Sequence, residues 1–140
     1  MQKTIFDDYI HRFNQRDMTA FDDYIATDLE MQNGNLMILG RQGMKDHYAK
    51  VWSTFREELQ VDRYLSDDEN IAIEMKTHFT AHKDNPSSVF GPVTVNDTFD
   101  YHGVILYKIK DGKFSDIRVA YLTFTHTGKD GKVISMGIPH

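Results

Sequence analysis

The sequence predicts an α+β domain with helices packed on one face of an antiparallel sheet. Three observations lead there. Apolar residues recur at three- and four-residue spacing in the first half of the chain, and they alternate with a period of two in the second half. Asp111-Gly112 separates two alternating runs near the C-terminus, ILYKIK and KFSDIRVAY. Both turn residues tolerate positive φ, so the pair marks a hairpin. Helices followed by strands in one chain give α+β.

In chain order, Ile5, Phe6, Tyr9, Ile10 and Phe13 form the apolar face of a first helix. Asn14-Gln15-Arg16-Asp17 interrupts it, and a second short stripe follows with Phe21, Tyr24 and Ile25. Asp17 or Thr19 is the expected N-cap. Met31 to Leu39 reads as extended pieces around Asn33-Gly34-Asn35. Met44, Tyr48, Val51, Trp52 and Phe55 make a third helical stripe. A strand is expected around Leu59, Val61 and Leu65, and further strands at Ile71–Ala81, Phe99–Ile109, Phe114–Thr125 and Val133–Met136. Between Asp84 and Asp97 lies the one long loop, either a lid over a binding site or a solvent loop.

The chain has 140 residues, expected to form one domain over 1–140, and no cysteine. A domain of this size buries enough surface for a core without cross-links. The absence of thiols excludes disulfides and points to a reducing, cytoplasmic setting. The first apolar stretch, MQKTIFDDYIHRF, contains acids and does not read as a signal peptide. No apolar run approaches membrane-spanning length, and a net charge of −5 argues against nonspecific nucleic-acid binding. His78 and His82 have a helical metal-ligand spacing, but on a strand they lie ~13 Å apart at ~3.3 Å per residue. No metal or cofactor is expected.

The stretches FNQRDMTAFDDYIATDLEM (13–31), GRQGMKDHYAKVWSTF (40–55) and ILYKIKDGKFSDIR (105–118), in this order, resemble the SnoaL-like branch of the nuclear transport factor 2-like superfamily. Polyketide cyclases and ketosteroid isomerases belong to it. The resemblance implies three N-terminal helices on a strongly curved antiparallel sheet, a cystatin-like cone with an apolar pocket on its concave side. It also implies a homodimer through the convex face and a small hydrophobic molecule as ligand. The catalytic His and Asp of the cyclases fall on Ile105 and Val119 here. Of the isomerase set, the tyrosine matches Tyr9, the carboxylate base falls on Asn33, and the third position lies near Gly103 or Val104.

Strand alternation assigns Thr77, Tyr101, Ile105, Tyr107, Val119, Tyr121 and Thr123 to the concave face. It assigns His78, His102, Phe124 and His126 to the convex face, and leaves the concave face without His, Asp or Glu. Gly103 inside a strand often marks a bulge, and a bulge there would turn His102 inward as the one imidazole able to act as a base. The candidate catalytic residues are therefore Tyr9, Asn33 and His102. Phe13, Trp52, Thr77, Tyr101, Ile105, Tyr107, Val119 and Tyr121 are the candidate ligand contacts. The tyrosines can equally be core residues with local partners. Two functions fit: a cofactor-independent isomerase, cyclase or dehydratase acting on a small oxygen-bearing hydrophobic substrate, or a non-catalytic ligand-binding or protein-interaction module.

Overall fold

A computed structural model describes residues 1–137. The first helix, α1 (Lys3–Asn14), buries Phe6, Tyr9 and Phe13. The buried stripe is narrower than the sequence reading, because Ile5 is exposed. The chain reverses at Arg16, whose φ of 57° is left-handed. Asp17 then accepts the Thr19 N–H at 2.9 Å, but the N-cap of α2 (Thr19–Tyr24) is Met18, without a side-chain cap, in place of the expected Asp17 or Thr19. Arg12 ties the two helices together through Asp17 at 3.1 Å and Asp23 at 2.8 Å.

Next come β1 (Ile25–Asn33), a turn at Gly34 with φ 59°, and β2 (Leu36–Leu39). Gly40, at φ 77°, opens α3 (Gly40–Thr54). The third helix thus follows the first hairpin. Phe55, read from sequence as its last apolar residue, instead begins β3 (Phe55–Ser66). The remaining strands are β4 (Asn70–Ala81), β5 (Asn85–Ser88), β6 (Gly91–Val93), β7 (Thr98–Lys110), β8 (Lys113–Thr127) and β9 (Val133–Ser135). The expected long loop carries the β5–β6 hairpin. Asp111 and Gly112 take φ 53° and 75°, the two positive values that a tight Asp-Gly turn needs.

The main sheet runs β2-β1-β8-β7-β4-β3, with β9 on β8. It is antiparallel except where β1 runs parallel to β8, setting Met31 beside Ile117 and Asn33 beside Val119. The edge strand β3 is held to α1 by Asn14, whose side-chain amide donates to the Leu59 carbonyl at 2.9 Å and accepts its N–H at 2.8 Å. One amide thus does the work of a neighbouring strand at that point. Aromatic rings from α1, α2 and α3 pack into one cluster, with Phe13 5.1 Å from Tyr48 and 5.4 Å from Trp52 between ring centres. No described helix is long and apolar enough to cross a membrane.

The predicted irregularity at Gly103 exists, but on the neighbouring strand. In the β7–β8 pair His102 faces Thr123 and Gly103 faces Tyr121, so Leu122 is the extra residue. Against β4, β7 stays in step, with Met75 opposite Gly103 and Lys76 opposite His102. A Cβ on Gly103 would lie 2.3 Å from the Ala120 carbonyl oxygen, which explains the glycine. Past the bulge the faces of β8 exchange. Phe124 is buried, and His126 stacks on Phe99 at 4.4 Å, while Leu122 and Thr123 are exposed. The sequence reading had Phe124, His126 and Thr123 on the opposite faces, because it carried one alternation through the bulge.

Gly103→Ala should therefore destabilise the fold by roughly 1–3 kcal/mol, the usual cost of forcing extra volume into a packed site. Urea denaturation followed by circular dichroism measures it; an unchanged midpoint would contradict the close contact.

Candidate functional site

Between the helices and the curved inner face of the sheet lie two adjoining cavities. The inner one has a volume of about 50 Å³, room for a few waters. The outer one, about 570 Å³, falls in the size range of small-molecule sites. Asn33, Tyr48, Glu57 and Tyr101 line both.

The inner walls include Tyr9 and Phe13 from α1, Asn33 from β1 and Thr77 from β4. Tyr101, Ile105 and Tyr107 come from β7, and Val119 from β8. Tyr121 lines the outer cavity, its ring 4.3 Å from that of Tyr101. Two candidates lie elsewhere. His102 keeps to the outer face, its Nε2 2.7 Å from Glu74 Oε2, because the extra residue sits in β8 and leaves the phase of β7 unchanged. Trp52 lines neither cavity. It stacks on Phe21 at 5.9 Å and turns its indole N–H to Glu57 Oε1 at 3.2 Å.

Glu57 is the residue that sequence reasoning missed. It sits at the start of β3, 5 % exposed, on the same face as Phe55 and Leu59. The expectation of a concave face free of acids is thus corrected. The signal was present: the alternation of Leu59 and Val61, extended back by two residues, reaches Glu57. Assigning Phe55 to the helix cut that strand short.

No cation among the described residues sits against Glu57. Burial raises its pKa to about 8, opposed by the hydrogen bond from Trp52. Near pH 7 the carboxyl is mostly protonated and can donate a proton or a hydrogen bond. Burial also raises Tyr9, with smaller contributions from Tyr107 and Glu57, so its phenol is a hydrogen-bond donor and not a base. Tyr48, Tyr101 and Tyr107 are raised mainly by burial as well. Burial raises Tyr121, while Tyr101 and Asn33 pull it down. The Asn33 Oδ1 is buried without a hydrogen-bond partner. Such an acceptor costs stability unless something pairs with it.

Beyond Tyr121, the outer cavity is walled by Phe79, Phe90 and Phe124. Phe90 is carried in by the β5–β6 hairpin, and its ring lies 4.8 Å from Phe99 and 5.1 Å from Phe124. Asn85 anchors that hairpin by donating to Thr54 Oγ1 at 2.9 Å. His47 and Lys50 of α3 also line this outer cavity.

Residues 6–117 match the model of the SnoaL-like domain. No curated protein matches the chain. Many solved structures share its fold. A candidate polyketide cyclase from Pseudomonas putida superposes with a TM-score of 0.71 at 20 % identity, over 84 % of this chain and 88 % of that one. A SnoaL-like polyketide cyclase from Agrobacterium tumefaciens gives 0.68 at 14 % identity, over 86 % and 92 %. An LEH-like epoxide hydrolase from M. tuberculosis gives 0.67 at 12 % identity, over 84 % and 80 %. At these identities the likeness concerns the fold.

A carboxyl whose folded pKa is raised above its unfolded value stabilises the fold least where the unfolded chain would ionise it. Stability from this group is full below about 4.5 and is lost as pH rises to about 8. Glu57→Gln should thus melt like the native protein at pH 4.5 and above it at pH 9. Equal melting temperatures at pH 9 would show that the carboxyl is not buried as described.

Proposed function

Because the chain belongs to the SnoaL-like domain family, we propose that it is a cofactor-independent enzyme acting by acid–base chemistry on a small, mostly apolar, oxygen-bearing molecule. The observation that carries this reading is Glu57, a buried carboxyl with a pKa near 8 on an otherwise apolar and phenolic wall. Perturbed carboxyls in clefts are characteristic of proton-transfer sites. Glu57 acts as general acid. It gives its proton to a substrate oxygen as that oxygen gains negative charge, and recovers a proton from product or water. Tyr9 donates a hydrogen bond to the same oxygen, and Asn33 orients the substrate. Isomerisation, cyclisation, dehydration and hydrolysis can each use such a donor. The second reading, a non-catalytic binding module, draws on the absence of both acid–base sets that the family resemblance calls for, since Ile105 and Val119 stand at the cyclase positions.

Native mass spectrometry of freshly purified protein, compared with a denatured sample, is expected to reveal a bound small molecule that identifies the substrate class. With a substrate in hand, Glu57→Gln should lower turnover by about 10²–10⁴, the usual contribution of a general acid. Turnover by the native protein should fall as pH rises through about 8, where the carboxyl loses its proton. A rate that rises through that pH would make Glu57 a base. A variant with native turnover would leave the binding-module reading standing.

We also propose that the protein is a cytoplasmic homodimer. Val104, Leu106 and Leu122 are 44 %, 48 % and 55 % exposed on the outer face of β7 and β8. A second copy packed on this face would remove them from water. Analytical ultracentrifugation is expected to find a dimer at micromolar concentration and a monomer for Leu106→Lys; a native monomer would refute the assignment.

A further inference from the structure

The outer cavity has a charge asymmetry that an apolar ligand leaves unused. Its lining acid is Glu57, buried at the inner end and mostly neutral near pH 7. Its lining cation is Lys50, on the exposed side of α3. Lys45 on the same helix is neutralised by Asp22 at 2.6 Å. Lys50, by contrast, pairs with no carboxylate among the described residues. His47, one turn before it, lines the same cavity with its ring 4.9 Å from that of Tyr48. Much of the remaining lining is aromatic: Phe79, Phe90, Tyr101, Tyr121 and Phe124.

We infer that this site takes an aromatic acid bearing a hydroxyl group, with its carboxylate beside Lys50 and His47 and its hydroxyl at Asn33 and Glu57. The inference rests on the pocket reading proposed above and names the ligand class within it. At the inner end the Asn33 Oδ1 has no partner. A ligand hydroxyl donates to that oxygen and accepts from the protonated carboxyl of Glu57, satisfying both groups with one atom. In the middle, flat aromatic walls favour a flat aromatic body. At the outer end a carboxylate meets the one cationic side chain of the lining. His47 beside it, its pKa lowered by burial and then by Lys50, is a mostly neutral imidazole that can donate a ring N–H to the same carboxylate. The ion pair with the exposed Lys50 is screened by solvent and corresponds to about three- to fivefold in affinity.

The test is calorimetric titration of the full chain with 4-hydroxybenzoate, 4-hydroxycinnamate and 6-hydroxy-2-naphthoate, each beside its methyl ester, with 2-naphthoate and 2-naphthol as controls. The acid that fits best is expected to bind about three- to fivefold tighter than its ester, and Lys50→Met should erase that preference while leaving ester affinity unchanged. The hydroxyl should add affinity over 2-naphthoate in the native protein and not in Asn33→Leu. Lys50 is exposed, so Lys50→Met should fold normally, which circular dichroism checks. Equal binding of acid and ester, or an acid preference that survives Lys50→Met, would overturn the inference while 2-naphthol and ester binding left the pocket reading intact. Failure of every probe, 2-naphthol included, to bind at millimolar concentration would overturn both.

Discussion

The close approach of Gly103 to the Ala120 carbonyl governs the inner surface of the sheet. A side chain at position 103 has no room there, because its Cβ would lie 2.3 Å from that oxygen. The same region holds the extra residue Leu122, and the two features together exchange the faces of β8. Before the bulge Ile117, Val119 and Tyr121 line the pocket side. After it Phe124 does, and His126 packs on Phe99. Without the exchange, Thr123 would follow Tyr121 on the inner face in place of Phe124, and the aromatic wall around Phe90 would lose a member. Bulges bend strands as well as shift them, so the feature that selects the lining also supports the curvature that makes room for it.

On this frame two carboxyls are buried among the described residues, Asp97 with Thr94 and His126 as hydrogen-bond partners and Glu57 with no cation beside it. Glu57 reaches the interior because β3 begins directly at the end of α3, which leaves Phe55, Glu57 and Leu59 in one inward phase. Asn14 then holds the Leu59 backbone from the helix side, so the edge strand cannot slip by one residue and expose the acid. The Trp52 indole N–H gives the carboxyl a hydrogen bond without neutralising it. Burial without a counter-charge costs stability, and proteins accept that cost mostly where the group performs chemistry. The unpartnered Asn33 oxygen beside the same cavities is a second deficit of this kind, and the proposed ligand hydroxyl would pair with both groups.

Much of this was legible in local patterns. The Asp111-Gly112 hairpin, the helical stripes of Phe6, Tyr9 and Phe13 and of Met44, Tyr48 and Val51, and the alternation of β4 and β7 each follow from one segment's own periodicity. Thr77, Tyr101, Ile105, Tyr107 and Val119 reach the inner cavity as strand phase predicts and Tyr9 as helical phase does, while Asn33 follows from the family resemblance. The failures occur where a phase changes. Phe55 continues the spacing of α3 yet starts a strand, and Glu57 was hidden by that choice. His102 was given a conditional inward turn on account of Gly103, but a glycine shows only that something approaches closely. It does not say which of two paired strands carries the extra residue.

The sequence by itself determined the element types, the order of helices and strands and the membership of most inward faces, because side-chain period is a property of a single segment. Pairing decided the rest. The parallel contact of β1 with β8 brings Asn33 beside Val119, and the register of β7 against β8 chooses Phe124 over Thr123 for the inner face. The burial that moves the Glu57 pKa requires α1, α3 and four strands to close around it. These are interactions between residues far apart in the chain, and their energies exist only once the segments have met.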